Sequence, residues 1–263
     1  MERLFLFLAV SLLFMSNVFA EVKGKDVTYE ANGTTLKGFL AYDDSSTEKR
    51  PGVIVVHEWW GQNEYARSRA TQLAELGYIA LAVDMYGDGK TADHPEDATK
   101  FMNEAFSNME LFKKKFEAGL QLLKSQEQTD PEKIAAIGYC FGGATVLGMA
   151  RAGVDLDGVV SFHGMLATET PAQKGNVKAS ILVFHGGSDP FVPKEQADAF
   201  KKEMTDAEVD FKFVEFEGVQ HSFTNPGATE VGKKFGKPFV YNEDADKKSW
   251  AEMQVFLKSV FSE

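Results

Sequence analysis

Gly138-Tyr139-Cys140-Phe141-Gly142-Gly143 contains the only cysteine of a 263-residue chain. An apolar run, Ile134 to Ile137, leads into it, and a helix-compatible run, Ala144 to Ala150, leads out. Strand, glycine-flanked turn and helix form the context in which Gly-x-Ser-x-Gly becomes a nucleophile elbow. The central residue of such a turn sits at strained backbone angles, and side chains two residues to either side would collide across it. Here a thiol stands where most such turns carry a hydroxyl. With an ordinary pKa of roughly 8.5, it is the easier of the two to activate. A solitary cysteine is commonly a small core residue. The flanking glycines and the strand-to-helix setting favour the nucleophile.

Outward from the elbow, strand-like and helix-like segments alternate. Val53 to Val56, Ile79 to Val83, Gly158 to Phe162 and Ile181 to Phe184 are apolar runs of the kind that form strands buried on both faces. Val27 to Tyr29 and Leu36 to Ala41 read as an opening hairpin turned at Asn32-Gly33. Helical spacing covers Ala66 to Leu76, most of Pro95 to Lys124 with a break near Ser107-Asn108, Lys194 to Met204 behind Pro193, and Asp244 to Phe261. Asp130-Pro131 marks a turn before the Ile134 strand. Phe211 to Phe216 alternates like a strand near a sheet edge. Residues 225–243 read as a loop able to cover a site. The alternation predicts an α/β fold with a mainly parallel, doubly wound sheet and helices on both faces.

The N-terminus reads differently. Leu4 to Val10 and Leu12 to Met15 form a short apolar core, and Val18-Phe19-Ala20 offers small residues where a signal peptidase cuts. Residues 1–20 are therefore expected to be a secretory signal peptide, removed before Glu21, and the protein to be exported, periplasmic or secreted. The apolar core is short of the ~20 residues a membrane span needs. Residues 21–263 are the size of a single domain. Net charge is −11, which speaks against nucleic acid and anionic membranes as partners. One cysteine forms no internal disulfide, and cysteine-rich zinc sites are excluded by count. No His-Glu-x-x-His spacing occurs, so neither metal nor cofactor is expected. The expected partner is a small molecule, and the expected assembly a monomer or small homo-oligomer. A free thiol retained in an oxidising compartment is a liability unless buried or used.

In parallel sheets, functional groups gather beyond the carboxyl ends of the strands. Cys140 follows one strand end, Asp189 another and His221 a third, in the order nucleophile, acid, histidine. In this reading Cys140 attacks a carbonyl, His221 moves the proton, and Asp189 orients the imidazole. His57, His163 and His185 also end strands, but each precedes the acid and is read as a rim or supporting residue. His94 falls in a polar loop. His57-Glu58-Trp59-Trp60-Gly61 follows the third strand, where the loop supplies one oxyanion-hole amide and the residue after the nucleophile the other. That nominates the backbone N–H groups of Trp59 and Phe141. Two other readings compete: a binding protein on a hydrolase scaffold, which the complete triad disfavours, and a thiol redox protein, which the lack of a resolving cysteine disfavours.

Gly138 to Gly143, His57 to Gly61, Asp84-Met85-Tyr86, Asp189-Pro190 and His221-Ser222-Phe223 together resemble the dienelactone hydrolases (carboxymethylenebutenolidases) of the α/β-hydrolases, from about residue 25 onward. The resemblance implies hydrolysis of esters or lactones through a thiol-acyl intermediate on a Cys140–His221–Asp189 triad. It further implies that Glu58 contacts the resting thiol and helps form the thiolate. Trp60, Tyr86 and Phe223 are expected to line the pocket. The chain departs from the family where arginines hold a substrate carboxylate: Gly87 stands at one such position, and Thr224 and Asn225 at the other. The expected substrate is therefore not restricted to dienelactone.

Overall fold

A computed structural model describes residues 22–45 and 47–262. The expected signal peptide, with Glu21, lies outside the described residues. The chain opens on a hairpin of β1 (Val22–Ala31) and β2 (Thr34–Asp43). Asn32 and Gly33 both take positive φ, 50° and 80°, which is the two-residue turn whose twist suits a hairpin. Next come β3 (Arg50–Val56), α1 (Glu64–Glu75), β4 (Ile79–Val83), α2 (Pro95–Phe106) and α3 (Met109–Lys124). The expected helix break falls at Ser107-Asn108, where the Asn108 side chain caps α3 by accepting from the Leu111 N–H at 3.0 Å. β5 (Thr129–Tyr139), α4 (Phe141–Arg151), β6 (Gly158–Phe162), β7 (Ser180–Gly186), α5 (Lys194–Asp206), β8 (Phe211–Phe216), α6 (Ala228–Phe235) and α7 (Glu243–Val260) complete the chain.

The eight strands form one sheet in the order β1-β2-β4-β3-β5-β6-β7-β8. β1 and β2 pair antiparallel, as do β2 and β4, and all other pairs are parallel. β8 is an edge strand, as its alternation predicts. Side chains of the central strands alternate between two cores. Ile54, Val56, Leu81, Val83, Ala136 and Val159 pack toward α3, α4 and α5. Val53, Val55, Ala80, Ala82, Ile137 and Val160 pack toward α1 and α7. Both faces are thus covered, which explains the unbroken β-branched runs.

Three expectations change. Asp130-Pro131 lies inside β5 at a bulge, where the pairing with β3 jumps from Pro51↔Asp130 to Gly52↔Ile134. Proline is tolerated there because the ladder is already interrupted. Pro193 is the residue before α5, not part of its first turn. Residues 225–243 are not all loop, for they contain α6 between Gly227 and the left-handed Gly236.

Candidate active site

The turn after β5 explains its glycines. Cys140 has φ 55° and ψ −113°, a conformation that L-residues avoid at a cost of about 1–3 kcal/mol. A methyl at Gly138 would strike the Gly142 carbonyl, and one at Gly142 the Val56 carbonyl. These are backbone atoms with nowhere to go, so no side chain is admissible. The tight turn lets α4 start at once, at Phe141, three residues earlier than Ala144. Cys140 stands half-buried at its N-terminus. The Phe141 N–H is in the first turn of α4 and has no helical partner, and the positive end of the helix lies beside the thiol.

The structure brings Asp189 and His221 together. Asp189 follows β7, and its Oδ1 accepts from the Phe191 N–H at 2.9 Å, which fixes the carboxylate. Oδ2 lies 2.6 Å from Nδ1 of His221, with both side chains buried. Nδ1 being held by Asp189, Nε2 is the nitrogen left over, and the charge of Cys140 bears on the imidazole. Burial disfavours the imidazolium, but Cys140 and Asp189 outweigh it and push the His221 pKa up to about 10. The histidine loop is held from outside the sheet. Ser222 has φ 59°, the His221 carbonyl accepts from Val240 N–H at 3.1 Å, and the Phe223 carbonyl accepts from Asn242 N–H at 3.0 Å.

His57, His163 and His185 are buried and do not stand at a rim. His57 Nε2 accepts from the Met85 N–H at 3.3 Å, and Nδ1 donates to the Glu58 carbonyl at 2.5 Å. Both nitrogens are thus occupied. His185 packs on the Phe213 ring at 5.7 Å, and burial lowers its pKa. His163 touches Cys140 itself, with Nδ1 accepting from the Cys140 N–H at 3.1 Å. His94 is exposed and serves as the cap of α2, accepting from the Glu96 N–H at 3.3 Å.

Glu58 is buried, and its surroundings differ from the implied resting contact with the thiol. Its Oε2 accepts from Asn225 Nδ2 at 2.6 Å, and Oε1 has no partner. Its described hydrogen bonds do not include Cys140. Burial raises its pKa, with Asn225, His221 and Ser222 pulling the other way. Asn225 is therefore committed to Glu58. Gly87 has φ 97°, and a Cβ there would lie 2.7 Å from the Thr34 methyl. Asp84 shapes that turn, accepting from the N–H groups of Lys37, Tyr86, Gly87 and Gly89 at 2.8–3.1 Å.

The site is walled by aromatic rings. Phe191 lies edge-on to His221 at 5.0 Å, and Phe239 spans Trp59 and His221, both at 5.8 Å. Trp60 packs edge-on to Trp59 at 4.9 Å and lines a hollow of about 600 Å³ with Asn225, Val231 and Phe235. Tyr86 donates to the Trp59 carbonyl at 2.8 Å, holding that loop, and borders a separate hollow of about 260 Å³ with Lys90, Phe101 and Lys115. Phe223 does not line a pocket. It is fully buried against His163 and Phe216, because the positive φ of Ser222 turns the chain back into the core. Composition and motifs did not signal the contacts of Asn225 and His163, since a single polar residue in a loop carries no periodicity to read. Among the described residues no cluster of three or more metal-ligating side chains forms, and no helix is long and apolar enough to cross a membrane.

A mostly parallel eight-stranded sheet with a strained elbow after β5, and a carboxylate and histidine after β7 and β8, defines an α/β-hydrolase. Residues 36–261 match the dienelactone hydrolase family, and the chain belongs to that family, whose members act as hydrolases of ester or lactone bonds. It is 34% identical over 215 residues to protein usf of Aquifex pyrophilus, covering 79% of this chain and 90% of that one. A carboxymethylenebutenolidase homolog of Xenopus tropicalis is 25% identical over 230 residues, covering 87% of this chain and 89% of that one. The crystal structure of a dienelactone hydrolase-like promiscuous phosphotriesterase from metagenomic libraries superposes with a TM-score of 0.84 at 34% identity, covering 91% of this chain and 99% of that one.

Proposed function

We propose that the protein hydrolyses neutral small-molecule esters or lactones through a thiol-acyl intermediate on Cys140. The observation that carries this reading is the Cys140 elbow facing an imidazole whose far nitrogen is bound at 2.6 Å by a buried carboxylate. The thiolate of Cys140 attacks the carbonyl carbon, a C–S bond forms, and the carbonyl electron pair moves to oxygen. The N–H groups of Trp59 and Phe141 receive that oxyanion; preorganised donors of this kind are worth about 2.7–4 kcal/mol each. On collapse the C–O bond to the leaving group breaks, and His221 Nε2–H protonates the departing oxygen. Water then attacks the thioester and gives its proton to Nε2, the C–S bond breaks, and the thiolate returns.

Glu58 is assigned to thiol activation. Its unpartnered Oε1 supplies an acceptor that can relay the thiol proton to His221 Nε2, which later delivers it to the leaving group, while Oε2 stays on Asn225. Glu58→Gln is expected to slow iodoacetamide capture of Cys140 severalfold at neutral pH. Capture at the wild-type rate removes Glu58 from this role.

The substrate should be uncharged. Asn225 is committed to Glu58. Lys115 donates to the Tyr86 carbonyl at 2.8 Å, and Arg69 is tied to Asp246 at 2.6 Å. Lys90 lies 4.0 Å from Glu104. A guanidinium–carboxylate bond contributes about 1.5–3 kcal/mol, roughly ten- to a hundredfold in kcat/KM. A panel of p-nitrophenyl esters and lactones, each paired with a carboxylate-bearing analogue of equal size, tests this. Turnover should favour the neutral member, vanish after iodoacetamide treatment, and be spared when substrate is present during that treatment. Asn225→Arg should recover part of the anionic activity. The backbone at Gly87 is unsuited to the same change. A panel without turnover sinks the hydrolytic reading, and an anionic preference in the unmodified protein sinks the charge assignment.

A further inference from the structure

Buried side chains form a continuous hydrogen-bonded path from the backbone of Cys140 to α1 and α7. The Cys140 N–H is shared between the Phe162 carbonyl at 3.0 Å and Nδ1 of His163 at 3.1 Å. A ring nitrogen that accepts carries no proton, so His163 bears its proton on Nε2. That N–H donates to the Thr224 hydroxyl at 2.8 Å, which in turn shares a 2.6 Å hydrogen bond with the Tyr65 hydroxyl. Arg69 donates to the same Tyr65 oxygen at 3.3 Å and to the Thr224 carbonyl at 2.6 Å. Asp246 completes the path, accepting from Arg69 at 2.6 Å. His163, Thr224 and Arg69 are 1%, 0% and 5% exposed. None of these groups has a task in the chemistry above.

Their placement suggests one. Cys140 follows β5 and His221 follows β8, with β6 and β7 lying between those strands. No ladder hydrogen bond joins the two strand ends, so the sulfur-to-imidazole distance depends on what ties the loops together. Thr224 is three residues beyond His221, on a loop that turns at the positive φ of Ser222. His163 packs its ring against His221 at 5.2 Å while holding the Cys140 amide. It thus joins the elbow backbone, by a hydrogen bond, to the catalytic histidine, by a ring contact. We propose that Thr224, anchored by Arg69 and Tyr65, is a positioning residue that holds the Cys140 elbow and the His221 loop in register through His163. The proposal deepens the thiol–imidazole reading above and rests on it.

Burial, together with the charges of His221 and Arg69, keeps the His163 pKa well below its ordinary value, so the ring stays an acceptor toward Cys140. Replacing the Thr224 hydroxyl by a methyl leaves the His163 N–H buried and without its acceptor, and frees the ring to turn. A shift of about 1 Å between reacting groups costs on the order of a hundredfold in rate. Thr224→Val in the full chain should therefore lower kcat about ten- to a hundredfold, with KM within about threefold. The rate of Cys140 alkylation by iodoacetamide at neutral pH should also fall severalfold, because the sulfur loses its imidazole neighbour. Thr224→Ser keeps the hydroxyl and should restore both. Tyr65→Phe, which removes one hydroxyl at the far end, should move both in the same direction by less, and provides the reading if the valine variant does not fold. Alkylation does not depend on turnover, so it decides this inference even where the ester panel fails. A valine or phenylalanine variant with a lowered Tm but an unchanged kcat and alkylation rate would overturn the proposal and reduce the path to a structural tie.

Discussion

Cys140→Ala is expected to abolish ester hydrolysis while leaving the fold intact. The loss should reach at least about a thousandfold in kcat, since removing the nucleophile of a triad typically costs more than that. The fold should survive because the elbow holds its shape through the glycines at 138 and 142, and alanine meets the same φ of 55° that cysteine already tolerates. Circular dichroism and Tm close to the parent, together with the loss of turnover, separate chemistry from stability. Cys140→Ser should also be poor. The surrounding acid and base are matched to a thiol, and a hydroxyl is far less acidic. More than a few per cent of activity in the alanine variant would disqualify Cys140 as nucleophile.

His221→Ala should come next, with a loss of about three orders of magnitude or more in kcat/KM. His57→Ala and His185→Ala should cost much less, for one is bonded through both nitrogens to backbone and the other lies against Phe213. His163→Ala should fall between, because it holds Cys140 without moving a proton. The pH profile adds an independent check. With the His221 pKa raised from 6.5 to about 10, the imidazolium persists through neutral pH. Activity should fall on the alkaline side only as pH nears 10. By linkage, the stabilisation from pairing is complete below pH 6.5 and is lost as pH rises toward 10. An alkaline limb near neutrality, or a ranking led by His185, would contradict the assignment.

The fold was legible because its signals are local. β-branched runs, the Asn32-Gly33 turn and the glycines around Cys140 each act within a few residues. The sequential order of Cys140, Asp189 and His221 was legible for the same reason, since Cys140 directly follows β5 and the other two stand in the short loops after β7 and β8. Phe223 was misplaced because a residue near a motif need not share its exposure: one positive φ at Ser222 sends it inward. α6 escaped notice because it spans eight residues and is bordered and interrupted by Gly227, Gly232 and Gly236. The partners of Glu58 and His163 come from segments far apart in the chain, and no spacing rule encodes such meetings. The bulge at Asp130-Pro131 shows the opposite error, where a genuine turn signal was absorbed by a strand that continued around it.

α6 has an implication for how the enzyme diversifies. It supplies Val231 and Phe235 to the larger hollow, and the segment after it reaches the sheet's working edge through the hydrogen bonds of Val240 and Asn242 with the histidine loop. The helix adds no strand to the sheet and carries none of the reacting groups. A library confined to its eight residues can therefore reshape the hollow beside Trp60 while Cys140, Asp189 and His221 are left unchanged. The glycines of the elbow, at 138 and 142, are the positions such a library should leave alone.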